Sequence, residues 1–573
     1  MKSLLFNDIS EIVENKRDIS PELAKDKWQV LSYELGEFKG KMLVAWQTAH
    51  PREIKLNFNV KGWHKIYLGL INFGGENSLG IRFLKSGEKT VVNTQIFGKD
   101  YWAPSEWAQE VYFTSLNFDE DGLSFFKTDL ENPTLTSSLV FVRLVPMTKT
   151  EIHNFTSCRK GCVAYHFDND FIWETENVNP EESLGRIEML RGFGSDKIMF
   201  EMPFSDYFDK SEENADSPVY NLLDVRRKKR YISYINHKES FIAALLNKTC
   251  DIGFETYCTY RMEAGDFMLP ASKSVFEQFS DLYPALTCRT RDNRKIKALS
   301  YAYPQVRKMI IDGLLSDLKY GFDGISLIFH RGVHIAFEKP VLDRVKALYG
   351  VDARTLPFSD ERLNNVLSEF MTTFMREFHF ALKENYPSVK VNAIVYYDTI
   401  SSKNFGLDVK QWAEEGLVDS ISQGLMEHYE DLTDCLNNDG TIDLKKYKKE
   451  NAKRTVLKRY FSDGNIERIV EGAKSFLDEL KDTNTEFMAT LTWQFCAADY
   501  DVKLMREMKK IGVTKFFSWN GGQKASNLQL LNAEKAISVC SDAERLNTET
   551  NRYHRVLSLD GGDISSFNPN WRG

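Results

Sequence analysis

The chain reads as an α/β protein, a (β/α)8 TIM barrel preceded by an all-β sandwich of jelly-roll type. Three observations predict this. Up to about residue 150 the sequence offers only short alternating strands, and beyond that point apolar strands alternate with amphipathic helical stretches. In addition, the strand near Gly324 ends abruptly in polar side chains. Charge spilled at the carboxyl end of a buried strand is the signature of the functional face of such a barrel.

The amino-terminal part, residues 1–150, opens with about 25 residues that read as a helical or loose lead-in. From about Trp28 come the segments KGKMLVAW, EIKLNFNV, HKIYLGLI, LGIRFL, KTVVNTQIF, QEVYFT and SLVFVRLV, each bounded by Gly, Asn, Asp or Pro. No 3.6-residue stripe interrupts them, so this part is expected to be a sandwich, either carbohydrate-binding or a structural appendage.

Residues 151–550 carry the alternation. The strand candidates are CVAYHFDND at Cys162, KIMFEM at Lys197, GFETYCTYRM at Gly253, GISLIFHRG at Gly324, VNAIVYYD at Val391, SISQGLMEH at Ser420, EFMATLTWQF at Glu486 and KFFSWNGG at Lys515. RTVLKRYF at Arg454 is a ninth candidate. Helices are expected from Pro304 to Tyr320, from near Pro340, from Ser359 to Glu384, from Val409 to Glu415, from Ile466 to Leu480 and from Val502 to Ile511, where apolar residues recur every three or four positions. No G-x-G-x-x-G follows the first strand and no phosphate loop occurs, which argues against a nucleotide-binding open sheet. Residues 551–573 read as a carboxyl-terminal tail.

Composition narrows the function. With 74 basic against 82 acidic residues and neither sign in a long block, a nucleic-acid surface is disfavoured. The basic runs Arg226 to Arg230 and Lys445 to Lys449 read as solvated faces. No apolar stretch reaches membrane-spanning length, and the start MKSLLFNDISEIVENK lacks the apolar core of a signal peptide, so a cytoplasmic chain is expected. The eight cysteines form no metal or redox pattern: Cys158 and Cys162 are not two residues apart, and Cys258 and Cys496 read as small core residues. No cofactor or metal is expected. The 13% aromatic content suits sugar stacking, although large cores use the same residues.

The series LSYAYPQVRKMIIDGL at Leu299, YGFDGISLIFHRG at Tyr320, FEKPVLDRVKALYGVD at Phe337 and WAEEGLVDSIS at Trp412 resembles the glycoside-hydrolase-like barrels called the family 10 glycosidase-like proteins. The likeness covers roughly residues 240 to 425 well. It implies a (β/α)8 barrel acting on glycosidic bonds. Arg331 and Glu338 match that family's pattern, whereas Ile328 stands where relatives commonly have an Asp.

Glycosidic cleavage generally takes two carboxyl groups, one to protonate the leaving oxygen and one to attack or to activate water. Glu338 is expected as the general acid, with Asp398 or Glu255 as its partner. Glu255 stands out because an acid within an apolar strand is costly unless paired or functional, and a structural salt bridge is its alternative. Expected substrate-binding residues are His166, Asp168 and Asp170 on the first strand, His330 and Arg331 on the fourth, Tyr396 on the fifth and Gln423 on the sixth, with Trp493 and Trp519 as stacking platforms. Glu201, ending the second strand before Pro203, is noted as a further acid. The expected activity is a glycoside hydrolase acting on oligosaccharides or glycosides, with the sandwich packed beside the barrel mouth and a homo-oligomer allowed. The alternatives are a catalytically inactive carbohydrate-binding barrel and a metal-dependent hydrolase or lyase using His166, Asp168, His330 or His334.

Overall fold

A computed structural model describes residues 2–35, 38–46, 49–71, 78–93, 108–127, 136–156, 163–167, 184–185, 187–188, 195–202, 225–262, 283–330, 334–424, 463–491, 498–518 and 554–557. All eight expected barrel strands form, and they close in chain order into a parallel barrel: Val163–Phe167, Ser195–Glu201, Glu255–Arg261, Gly324–Ile328, Lys390–Val395, Ser420–Gln423, Glu486–Thr490 and Lys515–Ser518. Closure comes from pairing of Val163–Tyr165 with Phe516–Ser518. The ninth candidate, at Arg454, lies outside the described residues.

Strand alternation separates two cores. Ala164, Met199, Tyr257, Ile328, Ile394, Met488 and Phe517 fill the barrel interior as one buried cluster. Their neighbours in sequence, among them Tyr165, Ile198, Cys258, Leu327, Val395 and Phe516, belong to the larger core between strands and helices. An inward side chain on one strand therefore predicts the side of every second residue. Gly324 is needed where it stands, because a Cβ there would come 2.2 Å from the Tyr257 ring.

The lower end of the barrel is stitched by acids. Asp323 Oδ2 accepts the Thr256 backbone N–H at 2.9 Å, and Asp419 Oδ2 accepts that of Val391 at 2.7 Å, just before the fourth and sixth strands. Above them Asn392 is fully used: its amide donates to Ser326 Oγ at 2.7 Å and its oxygen accepts from Ser420 and Ser422 at 2.9 and 3.0 Å.

The helices Pro304–Leu315, Lys339–Tyr349, Glu361–Asn385, Val409–Glu414, Asp463–Leu480 and Ala498–Lys510 lie close to their expected bounds. Their starts follow from local chemistry: Pro at the first turn of the first two, and side-chain caps from Asp360 and Asp408 on the next two. Helix Val225–Ile252 and the hairpin Thr287–Arg289 with Lys295–Leu299 were not anticipated.

Among the described residues the amino-terminal part forms three sheets. One joins Leu4–Phe6, Phe141–Pro146, Trp63–Ile71, Ala108–Asn117 and His554–Leu557; the second joins Ile54–Lys55, Leu123–Lys127, Ser78–Phe83 and Lys89–Asn93; the third joins Ser137–Leu139, Phe38–Ala45, Trp28–Leu35 and Ile19–Ser20. Phe83 and Phe113, from the second and first sheets, stack with ring centroids 6.0 Å apart. The lead-in is thus partly strand, because Leu4–Phe6 pairs with Val142–Leu144. The expected tail is also corrected in part: His554–Leu557 is an edge strand paired with Ala108–Val111.

The sandwich touches the barrel through Lys248, which binds Glu88 at 2.8 and 2.9 Å and Glu188 at 2.6 Å. Lys248 lies one turn before the end of Val225–Ile252, which leads into the amino end of the third strand. This contact lies near the amino end of the third strand. Among the described residues no helix is long and apolar enough to cross a membrane.

Candidate active site

The barrel mouth is built where the first four strands end. Two residues beyond Ala164, Met199 and Tyr257, all interior, come His166, Glu201 and Thr259; two beyond Thr259 comes Arg261, and two beyond the interior Ile328 comes His330. Alternation turns these polar side chains to the inside at the carboxyl end. Glu201 is 1% exposed and His166 0%. Arg261 Nε lies 2.7 Å from Glu201 Oε1, and His166 Nε2 lies 3.5 Å from Oε2. A carboxylate buried this deeply would be very costly alone, and the Arg261 guanidinium offsets that cost. The His330 ring packs against Gly424 at the end of the sixth strand; a Cβ on Gly424 would sit 2.9 Å from the ring carbon. His166 and His330 thus stand at the mouth as the sequence suggested.

Glu255 does not. It is the first residue of its strand, so it stands at the amino end of the barrel, where its carboxylate meets Lys390 Nζ at 2.7 Å. Lys197 and Glu486 pair on the same end. The expected catalytic role is corrected to a structural ion pair on the face opposite the mouth.

Glu338 is fully buried at the amino cap of Lys339–Tyr349. It accepts a hydrogen bond from the Ser300 hydroxyl, and both its oxygens lie 3.1 Å from the Ala336 backbone nitrogen. Burial pushes its carboxyl above the ordinary value, against the opposing pull of these bonds. A raised value suits an acid, but its hydrogen-bond partners are Ser300, next to the hairpin, and the Ala336 backbone in the loop, which it ties together. We therefore assign it to holding the loop beyond the fourth strand.

Asp398 is half-buried and caps Thr399–Asn404, its Oδ1 accepting from Ser401 N at 2.6 Å. Gln423 is corrected as a substrate contact. Its amide donates to Tyr397 O at 2.8 Å and Ile469 O at 3.1 Å, and its oxygen accepts from Thr490 N at 3.2 Å, on the helix side of the sheet. Tyr396 is corrected likewise: wholly buried, it stacks on Phe405 at 4.5 Å. His334 is buried with its ring nitrogens 3.1 Å from Met262 O and 2.7 Å from Phe329 O, and burial pushes it down to about 4. It clamps the third and fourth strand ends rather than facing the mouth. Asp168, Asp170, Arg331, Trp493 and Trp519 lie outside the described residues. Among the described residues no group of His, Cys, Asp and Glu is arranged to hold a metal ion.

Sequence reasoning noted Glu201 without selecting it and missed Thr259. The signal for Glu201 was the one that singled out the fourth strand: an apolar run, IMF, that ends in a charge.

No family model matches the chain, and no curated protein is significantly similar to it. Among solved structures, a Paenibacillus sp. cycloisomaltooligosaccharide glucanotransferase aligns at 9% identity over 81% of this chain and 53% of its own, with a TM-score of 0.34. A β-galactosidase from Marinomonas ef1 aligns at 9% identity over 67% and 61%, TM-score 0.40, and one from Bacillus circulans sp. alkalophilus at 10% over 66% and 56%, TM-score 0.41. The chain spans little more than half the length of these proteins, and superpositions this loose carry no argument about activity.

Proposed function

We propose that the chain is a barrel enzyme that hydrolyses O-glycosidic bonds of glycosides or short oligosaccharides at the mouth lined by the first four strands. The observation that carries the reading is Glu201, a carboxylate buried inside the carboxyl end of the second strand and paired with Arg261, with His166 Nε2 3.5 Å away. Paired with a guanidinium, Glu201 is suited to be the ionised member of a carboxyl pair, attacking the anomeric carbon or activating water. Asp168, two residues beyond the inward His166, is the proposed partner that protonates the leaving oxygen, and Asp170, Arg331, Trp493 and Trp519 remain proposed sugar contacts. The likeness of residues 240 to 425 to glycosidase-like barrels supports the same class.

The test is a turnover screen of purified protein against aryl glycosides and mixed oligosaccharides, with and without chelator. Chelator-resistant release of reducing sugar, reduced about 10²–10⁴-fold in Glu201→Gln protein that circular dichroism shows to be folded at the assay temperature, is the expected result. Full activity in that variant would remove Glu201 from the chemistry.

Ile328 favours a second reading. It fills the barrel interior where the family's relatives commonly carry an Asp, so a barrel that binds saccharide without cleaving it is the alternative. Saturable saccharide binding with no turnover across the whole panel would select it.

A further inference from the structure

Thr259 and Glu201 are register partners on adjoining parallel strands. Tyr257 and Met199, two residues earlier on each, are both in the interior cluster, so the two side chains stand next to each other inside the mouth. Thr259 is completely buried, yet its hydroxyl bonds to no group among the described residues, and Glu201 Oε2, 3.5 Å from His166 Nε2, accepts no hydrogen bond among them. Other buried threonines behave differently. Thr249 and Thr256 bond each other at 2.7 Å, Thr490 reaches the Leu491 carbonyl at 2.9 Å, and Thr372 accepts from Trp412 at 3.0 Å.

A buried hydroxyl without a partner is destabilising, and Val, which has the same shape, would avoid the penalty. Two such atoms side by side at the functional end of a barrel, one a hydroxyl and one a carboxylate oxygen, match the edge of a polyol: the carboxylate accepts from one hydroxyl and the threonine bonds its neighbour.

We infer that Thr259 Oγ1 and Glu201 Oε2 form a hydroxyl-binding subsite for a vicinal diol, the chemistry of a pyranose ring, and that Thr259 is a specificity-determining residue. The inference deepens the hydrolase reading and rests on it for the identity of the ligand.

Two experiments separate the subsite from that reading. The first soaks crystals of the wild-type protein in glycerol, a triol that needs no glycosidase activity. A glycerol or solvent oxygen within hydrogen-bond distance of both Thr259 Oγ1 and Glu201 Oε2 is expected; a dry contact, or a Thr259 hydroxyl turned to a backbone carbonyl, overturns the subsite. The second uses Thr259→Val on whichever saccharide the screen finds. The variant should melt no lower than wild type while KM rises about three- to tenfold with kcat little changed, and the loss should vanish with the monodeoxy analogue lacking the contacted hydroxyl. Unchanged KM at unchanged or higher melting temperature overturns it. If the panel is silent but the oxygen is bound, the hydrolase reading fails and the subsite stands.

Discussion

Lowering the pH from neutral should weaken the protein, and the fully buried His334 should carry a large share of the loss. Its ring is wholly buried against two carbonyls, Phe329 O at 2.7 Å and Met262 O at 3.1 Å. Met262 O also accepts the Tyr301 hydroxyl at 2.7 Å. A neutral imidazole donates from one nitrogen only, and the shorter contact assigns that proton to Nε2. Burial lowers the ring from 6.5 to about 4, against the two carbonyls, which act to raise it. Between those values the unfolded chain binds a proton that the folded chain refuses, so this contribution is fully present above pH 6.5 and is lost as pH falls toward 4. At about 1.36 kcal/mol per pH unit the whole window is worth about 3 kcal/mol, of which about 2 kcal/mol goes between pH 6.5 and 5, before ordinary carboxylates titrate. The assay is urea unfolding of wild type and His334→Gln across that range, with the nine other histidines common to both proteins. The variant should lose about one proton's worth of pH slope. Parallel curves, or an NMR titration of the folded His334 ring near 6.5, would refute the reasoning.

Other perturbations separate structural charge from functional charge. Glu255→Gln removes a partly exposed pair with Lys390 at the amino end of the barrel; stability should fall by no more than about 1 kcal/mol and turnover should not change. Lys238→Met leaves Asp317, now bonded at 2.6 Å to both Lys238 and the Tyr260 hydroxyl, as a buried charge without its cation, and denaturant titration should show a loss of about 3–5 kcal/mol. Gly324→Ala drives a methyl into the Tyr257 ring inside the barrel and should cost about 1–3 kcal/mol by the same titration.

The barrel was legible because each strand is a compact apolar run set off from amphipathic helices, and that contrast survives in a single sequence. The helix Val225–Ile252 was harder to see because its first turns are VRRKKR, which carry little apolar periodicity. The edge strands Leu4–Phe6 and His554–Leu557 take their partners from distant parts of the chain, which local pattern does not encode.

The site was legible in part. His166 and His330 follow from alternation, which the sequence carries. Glu255 was misplaced because its acid was weighed without its position: it precedes the apolar run TYCTY, and a residue that opens a parallel strand belongs to the lower face. Glu201 closes its strand and belongs to the upper face. Gln423 and Tyr396 had the right chemistry for sugar contacts, but the helix Asp463–Leu480 and Phe405, which absorb them, can be placed beside them only in three dimensions. Glu338 was drawn to the site by its position after the fourth strand, whereas its partner Ser300 comes from a hairpin 38 residues earlier.

The central claim is that chemistry at the barrel mouth depends on Glu201 and not on Glu338 or Glu255. Turnover of the best glycoside should be compared in wild type, Glu201→Gln, Glu338→Gln and Glu255→Gln, each shown by circular dichroism to be folded at the assay temperature. The account predicts loss of turnover in Glu201→Gln alone; turnover that survives in Glu201→Gln and disappears in a folded Glu338→Gln would contradict it.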